Sequence, residues 1–395
     1  MKKIIIAAMA ATMLSSAAYA QDAVKVGILL GFTGPIESLT PPMAASAELA
    51  LKEASDSGAF LGGKTIEAVR GDSTCVDAAA ATAAAERLVT SDNVTAIMGA
   101  DCSGVTIAVT NNVAVPNNLV MVSPSATSPA LTTIDDKGNF FRVVPSDARQ
   151  GQVLSGIIKG QGIDEVAVTY TNNDYGKGLA ESFGDAYASA GGKVLISAAH
   201  EDGKADYSAE VAALAASGAN TLVVFGYVDQ GGKGIVQTSL DTGAFDSFYG
   251  SDGMVGDSLI EALGDGVEGM TTTIPGGESE GAAIFQKLAT DAGAQATGPF
   301  IAEAYDAAAI IALSMQAVGS ADRAALKSKV MDVVNAPGEK ILPGEIAKGL
   351  KILADGGDID YVGATNVEFN DVGETDGSYK EQMIKGGKYE LVKIH

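Results

Sequence analysis

The sequence of 395 residues has no tryptophan, and it contains only two histidines and two cysteines. Zinc sites are built mainly from histidine nitrogen and cysteine sulfur ligands, so this composition disfavours a zinc site. Basic residues are also scarce, because 26 Lys and Arg face 49 Asp and Glu for a formal net charge of −23. This balance disfavours binding to nucleic acid or to an anionic membrane surface. A solvated acidic surface explains the charge, and such a surface would also suit a basic docking partner.

The amino-terminal segment has the pattern of a secretory signal. Residues 1–20 read MKKIIIAAMAATMLSSAAYA, with two lysines before an apolar stretch and a small-residue site at Ala18-Tyr19-Ala20. We therefore expect export and cleavage after Ala20. No cysteine lies near that point to carry a lipid, and no later run looks long and apolar enough to span a bilayer. We expect no direct membrane insertion, and removal of the segment would leave a formal charge of −25.

Short apolar runs alternate with helix-like segments along most of the chain. The predicted strands are VKVGILL, IEAVRGD, VTAIMGA, LVMVS, FFR, EVAVTYT, KVLISAA, TLVVFGY and DSFYGSDG. Helices are predicted around residues 44–55, 78–90, 105–115, 148–159, 179–189, 208–216 and 233–240. Such alternation is typical of parallel sheets flanked by helices. Because the series restarts at EVAVTYT, the sequence predicts an α/β protein with two Rossmann-like lobes and a cleft between them.

The last third of the chain has a different pattern. Helices are predicted around residues 281–291, 300–318 and 323–334. From about Lys351, the runs TNVEFN, YKEQMIK and YELVKI alternate polar and apolar residues. We interpret these three runs as antiparallel strands.

Two loops of small residues follow buried apolar runs. In VTAIMGADCSG the run opens into Cys102, Ser103 and Gly104, and in LVMVSPSATSP it opens into Ser125, Ala126 and Thr127. Loops at the carboxyl ends of parallel strands are where open α/β sheets bind ligands. Hydroxyl groups and free backbone N–H groups at helix starts suit a carboxylate. Ordinary turn chemistry is the alternative interpretation.

Two apparent catalytic motifs do not have the structural context that their chemistry needs. Residues 58–65, GAFLGGKT, match a phosphate-binding loop, but a predicted helix precedes them and a strand follows, which reverses the required order. Gly277-Glu278-Ser279-Glu280-Gly281 matches a nucleophile elbow, yet its two carboxylates would oppose a developing oxyanion. An acidic helix start explains the second motif better.

Cys75 and Cys102 are an even pair in a chain that we expect to be exported. That setting favours one disulfide over two free thiols. Both cysteines follow predicted strands, so they can lie on neighbouring loops.

The two loops, the two cysteines and the later motif DYGKGLA resemble the periplasmic leucine/isoleucine/valine-type amino-acid-binding proteins of ABC importers. The resemblance extends over nearly the whole chain after the signal and implies a type I periplasmic binding protein fold. It implies a Cys75–Cys102 disulfide and three crossings between lobes, near residues 143, 271 and 351. The first lobe would then hold residues 21–142 and 272–350, and the second would hold 143–271 and 351–395.

The resemblance also implies a set of ligand-binding residues. Ser103, Gly104, Ser125, Ala126 and Thr127 would hold a ligand carboxylate from the first lobe, and the Ser125 carbonyl would also face the ammonium. Tyr175, Tyr227 and Asp252 would close from the second lobe, with Asp252 facing the ammonium. Alternatives stay open: Tyr175 can be helix-start packing, Asp252 can be a turn aspartate, and Val228 can match the family position in place of Tyr227.

One position departs from the family pattern. After Gly34-Pro35 the family has a tyrosine over the ligand side chain, whereas this chain has Leu39. The side-chain pocket is therefore changed, and branched-chain specificity does not carry over directly.

The function implied by the resemblance is capture of a neutral amino acid and its delivery to the permease of an ABC importer by hinge closure. The protein would be a periplasmic monomer without a cofactor, a metal or enzymatic activity. A sensory binding protein, a binder of another small carboxylate and a secreted hydrolase built on Ser279 are the alternatives.

Overall fold

The computed structural model describes residues 23–395. The predicted signal peptide and its cleavage site lie outside the described residues. The strands are β1 (Val24–Leu30), β2 (Ile66–Asp72), β3 (Ala96–Gly99), β4 (Val120–Ser123), β5 (Phe140–Arg142), β6 (Glu165–Thr171), β7 (Lys193–His200), β8 (Thr221–Phe225), β9 (Ser247–Gly250), β10 (Thr271–Pro275), β11 (Glu339–Ile341), β12 (Ile359–Tyr361), β13 (Tyr379–Lys385) and β14 (Lys388–Ile394).

The helices mostly connect these strands. They are α1 (Thr40–Asp56), α2 (Ala78–Thr90), α3 (Ser103–Val109), α4 (Val115–Asn117), α5 (Asp147–Gly160), α6 (Asp174–Ser189), α7 (Ser208–Ala215), α8 (Gly231–Thr242), α9 (Asp257–Leu263), α10 (Glu280–Asp291), α11 (Ile301–Val318), α12 (Arg323–Val334) and α13 (Ile346–Ala354). A π-helical segment, Thr110–Ala114, joins α3 to α4.

Two large sheets form the centres of the two lobes. The first sheet is parallel throughout, in the order β2-β1-β3-β4-β5. The second has the order β14-β13-β10-β9-β8-β6-β7, in which β13 and β14 extend a parallel sheet with antiparallel strands. Every residue of β3, β4 and β8 is buried, as expected for parallel strands covered on both faces. The predicted α/β fold with two lobes is confirmed.

The chain returns to the first lobe after the second sheet has formed. Strand β10 lies in the second sheet, whereas β12 pairs with β11, and α11 packs against α1, α12 and α13. The division into lobes stays a prediction, and these pairings move the second and third expected crossings to positions after Pro275 and after Tyr361.

Helix α11 is the central helix of the first lobe. It is the one described helix that is long and apolar enough to cross a membrane, with a mean hydropathy of 1.3, but 83% of it is buried within the protein. The expectation that no later run would meet this criterion was therefore wrong. Burial against the first sheet and three helices explains the hydropathy of α11 without a membrane.

A buried carboxylate on α11 fixes the segment that follows β12. Asp306 accepts hydrogen bonds from the Tyr361 hydroxyl and the Ala364 N–H at 2.8 Å, and from the Thr365 hydroxyl at 2.7 Å. Burial nevertheless raises the pKa of Asp306 to about 6, since a charged group loses its hydration there.

The carboxyl-terminal expectations were partly right. YKEQMIK and YELVKI form the antiparallel pair β13–β14. TNVEFN is not a strand, because Asn335 pairs with both backbone groups of Phe369 at 2.8 Å and holds this segment as a loop. Helices α9 and α13 and the pair β11–β12 were not predicted.

The phosphate-loop-like residues 58–65 and the nucleophile-elbow-like residues 277–281 both have the structural context that the sequence predicted. A helical turn at Phe60–Gly62 separates α1 from β2, so GAFLGGKT ends a helix and leads into a strand. Ser279 is the N-cap of α10, and its hydroxyl accepts a hydrogen bond from the Ala282 N–H at 3.0 Å. The hydroxyl also donates to the carbonyl of Ala364, which is a structural role.

Candidate ligand-binding cleft

The cleft lies where the carboxyl ends of the two sheets face each other. Loops after β3 and β4 come from the first lobe, and loops after β6, β8 and β9 come from the second. A small cavity between them is lined by Ile36, Leu39, Met43, Asp101, Cys102, Ser103, Ser125, Tyr175, Tyr227, Asp252, Gly253 and Phe300. This is the edge at which parallel α/β sheets bind ligands.

The loop after β3 is held in place by a disulfide and a buried carboxylate. Cys75 and Cys102 are bonded, which confirms the expected pairing. Asp101, beside Cys102, accepts hydrogen bonds from the Gly31 N–H at 2.6 Å and from the Ser73 hydroxyl at 2.9 Å. Burial raises the pKa of Asp101. The loops after β1, β2 and β3 are thereby joined beneath the cleft.

Ser103 and Ser125 bring two hydroxyl groups to the first-lobe wall. Ser103 is the first residue of α3, and its hydroxyl accepts a hydrogen bond from the Ser128 N–H at 3.0 Å. The Ser125 hydroxyl donates to the Asp101 carbonyl at 3.0 Å. The Ser103 hydroxyl still has a proton to donate, and the start of α3 adds free N–H groups. This wall therefore suits an anionic group.

Arg142 supports the second of these loops from behind. Its guanidinium donates to the carbonyl oxygens of Ala126 at 3.0 Å and Ser128 at 2.9 Å. It also pairs with Glu374, with one contact at 2.9 Å. Arg142 is fully buried, so the Glu374 partner is needed to compensate its charge. Sequence reasoning missed Arg142, although a charged residue closing the apolar run FFR was a usable signal.

Tyr175 is the centre of the second-lobe wall. Its position is fixed by Asn173, the N-cap of α6, whose side chain accepts from the Tyr175 and Gly176 N–H groups at 3.1 Å. The Tyr175 hydroxyl lies 2.7 Å from the Ser251 hydroxyl, donates to Asp252 at 3.0 Å and accepts from the Gly253 N–H at 3.1 Å.

Tyr227 stacks on Tyr175, and their ring centroids are 5.3 Å apart. The Asn173 amide donates to the Tyr227 hydroxyl at 3.2 Å. Tyr227 lines the cavity, whereas the neighbouring Val228 is fully buried and lies beside Gly256. Of the two candidate positions, Tyr227 is the one at the cleft.

The carboxyl groups of Asp252 and Asp147 are buried near one another. Asp252 lies at the cleft, and Asp147 lies close to the expected first crossing of the chain between the lobes. Asp252 is 3% exposed, and burial raises its pKa to about 6 although the Tyr175 hydroxyl opposes the change. Asp147, in the first turn of α5, is fully buried. Burial and the negative charge of Asp252 raise the pKa of Asp147 well above its ordinary value. Both groups therefore favour a cation or a proton nearby.

Several acceptors near this pair have no partner. Among the described residues, no well-oriented hydrogen bond reaches the carboxylate oxygens of Asp147 or the Gln150 amide oxygen, and the Thr127 hydroxyl lies close enough to lower the pKa of Asp147. The Gln150 amide nitrogen anchors α5 to Thr273 of β10 at 3.0 Å. Unpaired buried acceptors are costly, so this region is suited to a donor such as water or an ammonium group.

Glycine is required at Gly253 within the second-lobe wall, and a small residue is favoured at Gly104, where the two walls meet. A Cβ at Gly253 would lie 2.5 Å from the Gly226 carbonyl and 2.9 Å from the Tyr175 hydroxyl. A Cβ at Gly104 would lie 3.2 Å from the Asp174 carboxylate in the opposite lobe. Larger residues would displace Tyr175 or hold the lobes apart.

Direct hydrogen bonds connect the two lobes around the cavity. Ser38 and Ser258 both donate to the Asp229 carboxylate, the first from its N–H at 2.9 Å and the second from its hydroxyl at 2.6 Å. We call these three residues the rim contact. On another side, the Ser128 hydroxyl donates to the Asp174 carbonyl at 3.0 Å. The cavity between the lobes measures about 30 Å³, room for about two water molecules, so the cleft is nearly closed.

The structure brings most of the predicted ligand-binding residues together. Six of them line the one cavity: Leu39, Ser103, Ser125, Tyr175, Tyr227 and Asp252. Gly104, Ala126 and Thr127 are not among its lining residues; Gly104 lies in the first turn of α3, and the other two lie in the loop after β4. Their roles in binding stay predictions.

Sequence reasoning missed five lining residues, namely Ile36, Met43, Asp101, Gly253 and Phe300. Phe300 precedes α11 and is far along the chain from the first-lobe loops with which it shares the cavity. Nothing local in the sequence marks it as a cleft residue.

Two α/β lobes that enclose a polar cavity at the ends of their sheets define a two-lobed solute-binding protein. A family profile described as "Periplasmic binding protein" matches residues 23–342. The chain belongs to this family.

Characterised relatives cover most of the chain. It is 29% identical over 323 residues to a leucine-, isoleucine-, valine-, threonine- and alanine-binding protein of Pseudomonas aeruginosa, covering 80% of this chain and 84% of the relative. It is 30% identical over 323 residues to a Leu/Ile/Val-binding protein homologue of Brucella melitensis, covering 80% and 82%.

Solved structures share the fold. A branched-chain amino acid transporter substrate-binding protein of Streptococcus pneumoniae, in complex with isoleucine, has a TM-score of 0.77 at 22% identity and covers 95% of this chain and 99% of its own. A solute-binding protein of an ABC transporter from R. palustris, in complex with benzoate, has a TM-score of 0.74 at 17% identity, covering 94% and 96%.

Proposed function

We propose that this protein captures a neutral α-amino acid in the periplasm, branched-chain or related, and delivers it to the permease of an ABC importer. The observation that carries the proposal is a single cavity lined by two hydroxyl residues, Ser103 and Ser125, on one lobe and by the buried Asp252 on the other. Relatives named as amino-acid-binding proteins support the same ligand class.

The chemistry of the two walls matches the two charges of an amino acid. The Ser103 and Thr127 hydroxyls, with N–H groups such as that of Gly104, would hold the carboxylate. Asp252 and the Ser125 carbonyl would hold the ammonium. Charge-assisted hydrogen bonds of this kind are strong and directional in a closed site. The Gln150 amide group, beside Asp252, would add a further polar group on the ammonium side.

Hinge closure would couple binding to transport. The first-lobe residues would bind first, and Tyr175, Tyr227 and Asp252 would arrive when the lobes close. Because a ligand can shift this equilibrium only through contacts that it makes in the closed form, residues of the second lobe would determine how far binding favours closure. A closed form recognised by the permease would complete the function.

We infer a mature chain that begins after Ala20, acts as a monomer and has no enzymatic activity of its own. A sensory binding protein using the same cleft is the alternative role. A small carboxylate without an ammonium group is the alternative ligand. A protein of similar fold that was solved in complex with benzoate supports this alternative.

The test is calorimetric titration of mature protein that has been unfolded and refolded to remove any co-purified ligand. The panel contains neutral, acidic and basic amino acids, betaines and benzoate. One-site binding of neutral amino acids supports the proposal. Binding restricted to ligands without an α-ammonium would overturn the role of Asp252, and refolded protein that binds nothing in the panel would contradict the amino-acid proposal as a whole.

A further inference from the structure

A second, much larger cavity adjoins the closed cleft. It measures about 660 Å³, and it shares Leu39 and Phe300 with the cleft cavity of about 30 Å³. It also lies between the lobes, because Ser38 and Ile301 come from the first lobe and Val255 and Ser258 from the second. The closed cleft has little space beyond what the two charged groups of an amino acid would occupy. Space for a ligand side chain is found on the other side of Leu39.

Leu39 is the wall between the two spaces. Its Cδ2 atom lies 3.0 Å from where a Cβ on Gly256 would be, so the side chain packs against the backbone of the opposite lobe. Leu39 is 8% exposed and Phe300 is 6% exposed. A leucine is smaller than the tyrosine that the family resemblance leads one to expect here, and its terminal methyl groups can rotate away at modest cost.

The large cavity has a mixed lining, and even the segments next to Leu39 and Gly256 contribute the polar residues Ser38, Asp257 and Ser258 beside the apolar Pro42 and Val255. Three buried apolar side chains contribute to its lining, with Val255 at 4%, Ile274 at 7% and Phe285 at 1% exposure. Glu303, Lys380 and Gln382 also line it. Glu303 is 8% exposed and burial raises its pKa to about 7, and the Gln382 amide oxygen has no partner in the described part of the chain.

We propose that the ligand side chain passes between Leu39 and Phe300 into this cavity, and that the protein takes α-amino acids with unbranched side chains longer than that of leucine. This inference rests on the proposed amino-acid function. The cavity favours a neutral side chain with an apolar stem, because Leu39, Val255 and Phe285 give it apolar surface and its polar groups, which carry both signs of charge, can hydrogen-bond to a polar end. Leu39 and Phe300 are then specificity-determining residues.

The test compares Kd values along one homologous series: norvaline, norleucine, 2-aminooctanoic acid and Nε-acetyl-lysine. Each methylene buried against apolar walls contributes about fourfold in affinity. We therefore expect 2-aminooctanoic acid to bind at least about tenfold more tightly than norvaline, since part of its stem stays near solvent. Nε-acetyl-lysine should also bind more tightly than norvaline.

Two variants locate the effect. Leu39→Tyr narrows the passage, and Ala282→Phe reduces the large cavity from α10, whose Ala282 lines it. Each should lower the affinity ratio of 2-aminooctanoic acid to norvaline by about tenfold, which is slightly less than the loss of two fully buried methylenes. Leu195→Tyr, at an exposed leucine of β7 that lines neither cavity, is the control and should preserve the ratio.

The outcomes separate this inference from the proposed function. If the protein binds norvaline and leucine but binds the longer ligands more weakly, the ligand side chain does not pass between Leu39 and Phe300. The proposed amino-acid function would still hold in that case. Failure of every amino acid to bind would contradict the proposed function itself. If affinity rises with the length of the ligand side chain and neither Leu39→Tyr nor Ala282→Phe changes that rise, the ligand side chain lies elsewhere. That result would also overturn the inference.

Discussion

The carboxylate of Asp229 accepts a hydrogen bond from the backbone N–H of Ser38 at 2.9 Å, directly across the mouth of the cleft. The Ser258 hydroxyl holds the other carboxylate oxygen at 2.6 Å, and the Asp229 N–H donates to the Pro35 carbonyl at 3.0 Å. No ligand takes part in these bonds. The rim contact therefore stabilises the closed form by itself, independently of what the cleft contains.

Removing the rim carboxylate should weaken ligand binding by opening the lobes. Asp229→Ala is expected to raise Kd about fivefold to tenfold, the value of one charge-assisted hydrogen bond at a partly exposed position. Small-angle scattering should show a larger radius of gyration for the ligand-free variant. Asp246→Ala, at an exposed position away from the cleft, is the control. Unchanged affinity and scattering in Asp229→Ala would contradict a role in closure.

Asp252 is expected to provide most of the recognition of an ammonium group. Asp252→Ala should raise Kd at least about tenfold, because a buried charged partner is lost. Asp252→Asn keeps the volume of the side chain and removes its charge, so it should weaken the binding of amino acids more than the binding of benzoate. The measurement is calorimetric titration of both variants, and equal losses for both ligands would argue for a packing role instead.

The pH dependence of binding follows from the raised pKa of Asp252, about 6 in the ligand-free protein. The protonated form cannot pair with an ammonium, so affinity should be constant above about pH 7 and fall by up to about tenfold per pH unit below 6. Amino-acid ammonium groups stay charged throughout this range. Kd measured from pH 5 to 8 checks the prediction, and affinity that is flat with pH would exclude it.

Asp147 offers an independent test of the same electrostatics. The negative charge of Asp252 raises the pKa of Asp147, and the nearby Arg142 opposes that rise. Tyr175 and Tyr379 also face the pair and stay neutral, because burial and both carboxylates raise their pKa. Asp147→Asn leaves Asp252 as the one acid of the pair, so the two titration steps of a coupled pair should become one step in the pH profile. A profile with the same steps as the wild type would show that Asp147 does not contribute to it.

The disulfide should contribute to both stability and binding. A closed loop with a sequence separation of 27 residues is worth about 3 kcal/mol in the chain-entropy treatment. Replacing Cys75 and Cys102 together by Ser should lower the urea midpoint accordingly and weaken binding, because Ser103 follows Cys102 directly. Dithiothreitol treatment of the wild type should reproduce the loss. Equal midpoints for reduced and oxidised protein would contradict the prediction.

Arg142 should act on the ligand through the loop that it supports. Arg142→Lys keeps the charge beside Glu374 but cannot also reach the Ala126 and Ser128 carbonyls in the same fork geometry. We expect Kd to rise about threefold to tenfold while the fold is retained. Near-ultraviolet circular dichroism monitors the fold. Arg149→Lys, an exposed arginine in the next helix, is the matched control.

Periodicity in the sequence was sufficient to predict the two sheets, most helices and the edge at which the ligand cleft forms. Runs such as VKVGILL and TLVVFGY are apolar throughout because both sheet faces are covered, and they are β1 and β8. Helix α9 was missed because it is only seven residues long and follows a glycine-rich turn. TNVEFN alternates like a strand, yet one side chain, Asn335, satisfies the backbone that a strand partner would have paired.

The candidate site was predictable only where a loop adjoins its strand. Ser103, Ser125, Tyr175, Tyr227 and Asp252 all follow a strand closely, so their meeting at one edge follows from topology. Phe300 reaches the cleft from the loop between α10 and α11, and no local pattern in the sequence encodes that contact because it depends on how distant segments pack. Arg142 supports a cleft loop from behind, and its place at the end of the apolar run FFR was the one local signal for it.

The two carboxyl groups near the start of α11 have a consequence for export. Glu303 and Asp306 serve the folded protein as a cavity wall and as an anchor for Thr365. During the export that we propose, an unfolded chain would expose the same apolar segment to lipid, where an aspartate at the centre of a helix costs about 2.5–3.5 kcal/mol to insert. These residues would thus oppose arrest of the helix in the membrane, so the helix could be as hydrophobic as the core requires and still pass through.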